Sequence, residues 1–433
     1  MTTLPHPAPA RAPHSLRPLD VIAWGATGFT GKLVARYLAE QHPPRDGGLR
    51  WALAGRSQAK LERLRSELLG TDESAARVPI LVGDGNDRGS LDAIVSQTRA
   101  IASTVGPFAR YGSTLVAACA AAGTHYCDIT GEVLWVKSMI EAHHAEAQRT
   151  GARIVPFCGF DSIPFDLGWR FVSERVERDH GRTPSEIRAV IGPMRGGASG
   201  GTIATMLDGL NLIKNPQARA TLANGNALVP PSGPQPVRVR DVRGPGYDPD
   251  LGVHTAPFFM ATVNTRVVRR SHALLGHPYG LDHRYTESQA SGRGLKGRAT
   301  ANLLSLGMGA FVGAAMLPGV PRLLVGRVLP KPGEGPSPAQ QAAGFFVVRF
   351  VAVARCAPGE SPLIRIGRVE AQGDPGYAVT SRMLAESAIC LATEAESLPE
   401  RAGVLTPASG IGLPLVRRLD AAGVHFTMEE ASG

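Results

Sequence analysis

The stretch Val21-Ile22-Ala23-Trp24-Gly25-Ala26-Thr27-Gly28-Phe29-Thr30-Gly31 decides the fold of this chain. Four apolar residues run into a glycine-rich turn. After it, Leu33, Val34, Tyr37 and Leu38 fall on one helical face. A strand, such a turn and a helix in that order form the phosphate-binding corner of a dinucleotide fold. Each glycine has a physical task there. Gly25 turns the chain tightly, Gly28 lets backbone approach a pyrophosphate, and Gly31 lets the helix pack closely on the strand. The helix N-terminus then turns its unpaired N–H groups toward the anion. Ala26, Thr27, Phe29 and Thr30 complete the loop that would line this ligand.

A second apolar run, Trp51-Ala52-Leu53-Ala54, ends in Gly55-Arg56-Ser57. An NAD-binding chain carries an acidic residue in this region, on the ribose 2′-hydroxyl. Here there is Arg56 and no carboxylate, which suits a 2′-phosphate and hence NADP(H). The plainer reading leaves Arg56 to solvate a helix start. Ser57 reads as the N-cap of a helix carrying Leu61, Leu64 and Leu68.

The alternation continues outward. Further strands are expected at 78–82, 101–105, 124–128 and 153–157, and helices at 91–98, 113–122 and 133–149. This rhythm predicts a parallel, doubly wound α/β sheet, with ligands outside the carboxyl ends of its strands. Asp84, Val105, Gly106 and Pro107 fall at such ends. Asp84 reads equally well as an adenosine neighbour or as a turn residue in Gly-Asp-Gly-Asn-Asp.

With 433 residues, 43% hydrophobic and 19% charged, the chain can support two domains. The net charge of +9 lacks any Lys/Arg block longer than two residues. It therefore suits small anionic ligands or an acidic partner, not nucleic acid. Five cysteines without a Cys-x-x-Cys pair argue against disulfides and structural zinc; no metal is expected, and a reducing cytoplasm is. His143 and His144 read as surface residues. Residues 1–18 are rich in Pro, Ala, His and Arg and read as a disordered tail. Residues 303–320 carry no charge. Their length is at the lower limit for a bilayer span, and their glycines and prolines oppose one. A buried helix, or an apolar element touching a greasy substrate or, peripherally, a membrane, is expected instead.

Several strings together resemble the saccharopine dehydrogenase-like oxidoreductases, in particular their trans-acting enoyl reductase branch. They are Gly-Ala-Thr-Gly-Phe-Thr-Gly at 25–31, Ala-Gly-Arg-Ser at 54–57 and Thr-Val-Gly-Pro-Phe at 104–108. Then come Gly-Thr-His-Tyr-Cys-Asp-Ile-Thr-Gly-Glu at 123–132 and Gly-Phe-Asp-Ser-Ile-Pro-Phe-Asp at 159–166. Shorter matches are Ser199-Gly200-Gly201-Thr202, Gly344-Phe345-Phe346 and Asp374-Pro375-Gly376-Tyr377. The resemblance implies an N-terminal Rossmann sheet (19–165), an inserted mixed α+β second domain (166–375) for substrate and dimerisation, and C-terminal helices (376–433) returning to the first domain. It implies an NADPH-dependent reductase of an enoyl thioester in polyketide or complex lipid biosynthesis, acting as a homodimer on a hydrophobic acyl chain held by an acyl carrier domain. An amino-acid imine substrate, or a cofactor-binding protein without turnover, are the alternatives. Enoyl reduction needs a proton donor beside the hydride source. Tyr126, Asp128, Asp161 and Ser162 are the candidates, with Tyr279 and Tyr285 behind them. Asp161-Ser162-Ile163-Pro164 also reads as a simple cap and turn between domains.

Overall fold

A computed structural model describes residues 16–71, 73–196, 215–316, 335–356 and 359–430. The Ser199–Thr202 motif, residues 317–320 of the uncharged segment and the first fifteen residues lie outside them.

Two seven-stranded sheets carry the fold. The first is parallel throughout and runs β13-β6-β5-β4-β1-β2-β3. Its strands are β1 (Leu19–Trp24), β2 (Trp51–Gly55), β3 (Ile80–Val82), β4 (Thr98–Ser103), β5 (His125–Asp128), β6 (Arg153–Val155) and β13 (Gly403–Val404). Every residue of β1 is buried, as a central parallel strand covered on both faces requires. Its alternate side chains feed two cores. Val21 and Ala23 join one, Ile22 and Trp24 the other. Helices Phe29–Gln41 and Thr380–Thr393 cover the first face, and Arg88–Val95, Ser113–Ala122 and Val133–Thr150 the second.

The second sheet runs β14-β12-β11-β7-β10-β9-β8 and is mixed. It contains β7 (Pro184–Arg195), β8 (Gly246–Asp248), β9 (Val253–Pro257), β10 (Arg284–Gly292), β11 (Phe345–Ala354), β12 (Leu363–Gln372) and β14 (Val424–Met428). Only β7 and β10 pair in parallel; the other neighbours are antiparallel. Helix Ile163–His180 lies over it, burying Phe165, Trp169 and Val172 against β7, β11, β12 and β14. Helix Thr380–Thr393, buried along nearly its whole length, carries the chain back across the first sheet.

Several local expectations are corrected. The tail does not extend to residue 18: Arg17 is buried, bonding the Thr98 carbonyl (2.6 Å), Thr124 Oγ1 (2.7 Å) and the Ala122 carbonyl (2.7 Å). The helix expected at 91–98 begins at Arg88, because Asp87 accepts the Gly89 N–H and nucleates it earlier, while Thr98 already opens β4. His144 is not a free surface residue, since its Nδ1 accepts the Val404 N–H at 3.1 Å and pins β13. Nor is the described part of the uncharged segment core. It belongs to helix Gly294–Met316, where Leu303 and Leu306 are more than two-thirds exposed. No helix among the described residues is long and apolar enough to cross a membrane.

Candidate functional site

At the carboxyl end of β1, the N–H groups of Gly25 and Ala26 bond the Ala54 carbonyl at 2.9 and 3.2 Å. Gly25 has φ +83°, the left-handed region that a side chain disfavours. A methyl group at Gly31 would lie 2.1 Å from the Gly25 carbonyl oxygen, so that glycine sets how closely helix Phe29–Gln41 approaches the strand. Gly28 occupies the N-cap, is exposed, and offers no side-chain partner to the first turn. The helix therefore starts with N–H groups free of intrahelical acceptors beside an open glycine surface. That cradle fits a pyrophosphate.

Neighbouring segments hold the loop. The Thr104 hydroxyl lies 3.2 and 3.3 Å from the carbonyl oxygens of Trp24 and Gly25. Val105 presses on Gly25, and the Gly106–Pro107 peptide, which is cis, follows at the mouth of β4. Glu132 accepts the N–H groups of Phe108 and Ala109, both at 2.8 Å, and so fixes the next turn. Phe29 meets Tyr377 edge-on at 4.7 Å, and Gly335 lies against its other side.

Arg56 stands exposed at the end of β2, with no hydrogen bond to any described residue. Ser57 takes the N-cap position, as its residue type predicts, yet its hydroxyl caps nothing. A guanidinium, a hydroxyl and the N-terminus of helix Gln58–Leu69 thus stand together without partners among the described residues, a donor set that fits a phosphate. Asp84 is exposed after β3, and one of its oxygens accepts the Asn86 N–H of its own turn at 3.0 Å.

The four candidate proton donors differ in surroundings. Tyr126 is fully buried and donates its hydroxyl to Asp128 at 2.7 Å. Asp128, equally buried, also accepts the N–H groups of Thr130 (3.0 Å) and Phe157 (3.3 Å). Burial pushes its carboxyl up to about 7 against those bonds. This pair ties β5 to the segment after β6, and no part of either side chain meets solvent. Ser162 is buried too and donates to Asn264 Oδ1 at 3.3 Å. Behind it, Asn264 Nδ2 and the Tyr285 hydroxyl donate to the two oxygens of Glu287, at 3.0 and 2.9 Å. Burial raises Glu287 to about 8.

Asp161 is the exception among the four. It is partly open to solvent just beyond β6, and it hydrogen-bonds no described residue. Crowding by protein atoms, with no compensating cation, raises its carboxyl from 3.8 to about 6. Tyr279 lies elsewhere, packed against Trp169 and His272. Sequence reasoning passed over Thr104, Glu132, Asn264 and Glu287. Glu132 closes one of the quoted motifs, whereas Asn264 and Glu287 stand more than 100 residues from Ser162 and carry no local signal. Among the described residues no cluster of three or more His, Cys, Asp or Glu is arranged to hold a metal ion.

Comparison with known proteins agrees with this geometry. Residues 21–155 match the saccharopine dehydrogenase NADP-binding domain. The chain is 42% identical over 424 residues to a Mycobacterium tuberculosis protein provisionally named a trans-acting enoyl reductase, covering 95% of this chain and 97% of the relative. It is 37% identical over 419 residues to the trans-acting enoyl reductase of Mycobacterium leprae, covering 94% and 97%. Among solved structures, apo saccharopine dehydrogenase (L-Glu forming) of Saccharomyces cerevisiae shares the fold, with TM-score 0.50 and 11% identity over 95% of this chain and all of that one. The glycine corner, the unpaired Arg56 and the two-sheet architecture thus have one common source: the chain belongs to the trans-acting enoyl reductases within the saccharopine dehydrogenase-like oxidoreductases, and its cofactor is NADP(H).

Proposed function

We propose that this chain reduces the C=C bond of an α,β-unsaturated acyl thioester, a polyketide or complex lipid intermediate carried on a separate synthase, and that it does so as a homodimer. NADPH, when bound, supplies the hydride for the β-carbon. The reaction also needs one proton at the α-carbon, and the chain must provide it. The observation carrying this reading is Asp161: a carboxyl with a pKa near 6 and no partner among the described residues, beyond β6 at the carboxyl end of the parallel sheet. Its acid form gives up the proton, and solvent restores it. Tyr126 and Asp128 act as positioning residues, holding the segment that bears Asp161 by way of the Phe157 N–H. Ser162, fixed by Asn264, anchors the next residue in the same way.

NADPH oxidation measured with enoyl thioesters of graded length, beside a lysine-derived imine, tests the reading. Each buried methylene contributes about 0.8 kcal/mol, so kcat/KM should rise steeply with chain length for as long as added methylenes leave water. Turnover of the imine alone would overturn the proposal.

Cofactor choice gives a separate expectation. An Arg–phosphate contact of this kind is worth roughly 1.5–3 kcal/mol. Arg56→Ala should weaken NADPH binding about tenfold or more by that measure and leave NADH binding nearly unchanged. Equal calorimetric titrations of both cofactors with the unmodified protein would remove Arg56 from the site.

A further inference from the structure

Helix Gly294–Met316 rests on β9 and β10 through a narrow strip, with Gly297 and Ala301 facing inward. The opposite side is bare. Leu295, Leu303 and Leu306 are 85%, 71% and 72% exposed. At 100° per residue they fall within about 80° of one another on the outer face. Leu304 and Phe311, each 41% exposed, widen this apolar surface along one flank. Exposed leucines at such density are unusual on a face that has no occupant.

The charges around this face have a single sign. Arg293, Lys296 and Arg298 are exposed and form no ion pair with a described residue. From Ser288 to Gly333 the sequence contains six Lys or Arg and no Asp or Glu. A second copy of this helix would bring the same basic flank and no acidic complement. The face also lacks the Tyr and Trp anchors that enrich protein interfaces, and Gly307, Gly309 and Gly313 interrupt it. An apolar stripe with a basic rim asks little of a partner's shape. It needs an apolar layer beneath a negative surface.

We propose that the outer face of helix Gly294–Met316 docks on an anionic lipid surface, its leucines entering the acyl boundary and Arg293, Lys296 and Arg298 engaging the headgroups. The helix lies along the surface and does not span. Docking of this face does not depend on enoyl reduction, and neither does its test.

The test is co-sedimentation of the full chain with vesicles of phosphatidylcholine alone or mixed with phosphatidylglycerol. Binding is expected to the mixed vesicles only, and to fall as salt rises. Leu303→Asp with Leu306→Asp should lower the bound fraction about tenfold or more. Because both side chains point outward, the melting temperature and NADPH affinity of that variant should stay as they were. Lys296→Glu with Arg298→Glu should abolish the preference for anionic vesicles. The proposal fails if the unmodified chain ignores anionic vesicles at low salt, or if the leucine variant still binds them. If vesicles are ignored and that variant converts a dimer to a monomer in light scattering, the occupant is a second copy and the lipid assignment is wrong.

Discussion

Asp161→Asn is expected to lower kcat by about 10²- to 10⁴-fold, the range a positioned general acid supplies, while NADPH affinity stays unchanged. The amide has the shape of the carboxyl and no proton to give. Asp161 lies beyond β6 and outside the glycine corner at 25–31, so cofactor binding reads folding and occupancy independently. The pH dependence follows from the raised pKa. Only the protonated form donates, so kcat of the unmodified enzyme should fall as pH rises through about 6, and this limb should vanish in Asp161→Asn. Stability moves the same way. A carboxyl whose folded pKa lies above its unfolded value destabilises the fold when ionised, so stability is lost as pH rises through that folded pKa. Above neutrality the Asn variant should therefore melt higher than the parent. A variant that keeps kcat within a few-fold would assign the proton to another group.

Gly28→Val should reduce NADPH affinity by about 100-fold or more while leaving the fold intact, because the added side chain fills the surface where a pyrophosphate meets the helix N-terminus. The geometry separates this from a folding defect. A methyl at Gly28 would stand 3.3 Å from the Gly25 carbonyl, tight but accommodated by a small shift. At Gly31 the same group would come within 2.1 Å of that oxygen, and the corner would have to open. Gly28→Val should thus lose binding alone, whereas Gly31→Val should lose melting temperature as well. Calorimetry and thermal unfolding together make the distinction. Unchanged NADPH affinity in Gly28→Val would reduce the loop to a structural turn.

What sequence reading reaches, and what it misses, divides along the range of the forces involved. The corner at 25–31 is legible because strand, turn and helix signals are adjacent and local. Helix Ser113–Ala122 ends where expected because Gly123 adopts the left-handed conformation at its C-terminus. The capping role of Ser57 fails although its position is right: residue type sets the preference for the place, and only the surroundings decide what the hydroxyl bonds. Arg17 and His144 were out of reach for a related reason, since their acceptors and donors come from segments distant in the chain. The second sheet is harder to read, because its parallel β7–β10 pair joins strands about a hundred residues apart. At the site, Asp161 and Ser162 are adjacent in sequence yet differ in exposure, and no periodicity reports that. For helix Gly294–Met316 only the expectation of burial failed, and for the simplest reason. Hydropathy states what a segment would gain by burial, not whether the fold offers a neighbour to bury it against.

The last strands of the fold also bear on how the molecule is made. After Thr393 the chain sends β13 to the edge of the first sheet and β14 to the edge of the second. Neither sheet is complete before residue 402 has been synthesised. A nascent chain emerging from the ribosome therefore carries an open edge at β6 from residue 155 until β13 is made, and a second at β12 from residue 372 until β14 is made. The cofactor half cannot be excised as a self-sufficient module, because helix Thr380–Thr393 supplies one wall of its core. Cutting after β12 should leave a fragment that associates through exposed backbone instead of folding.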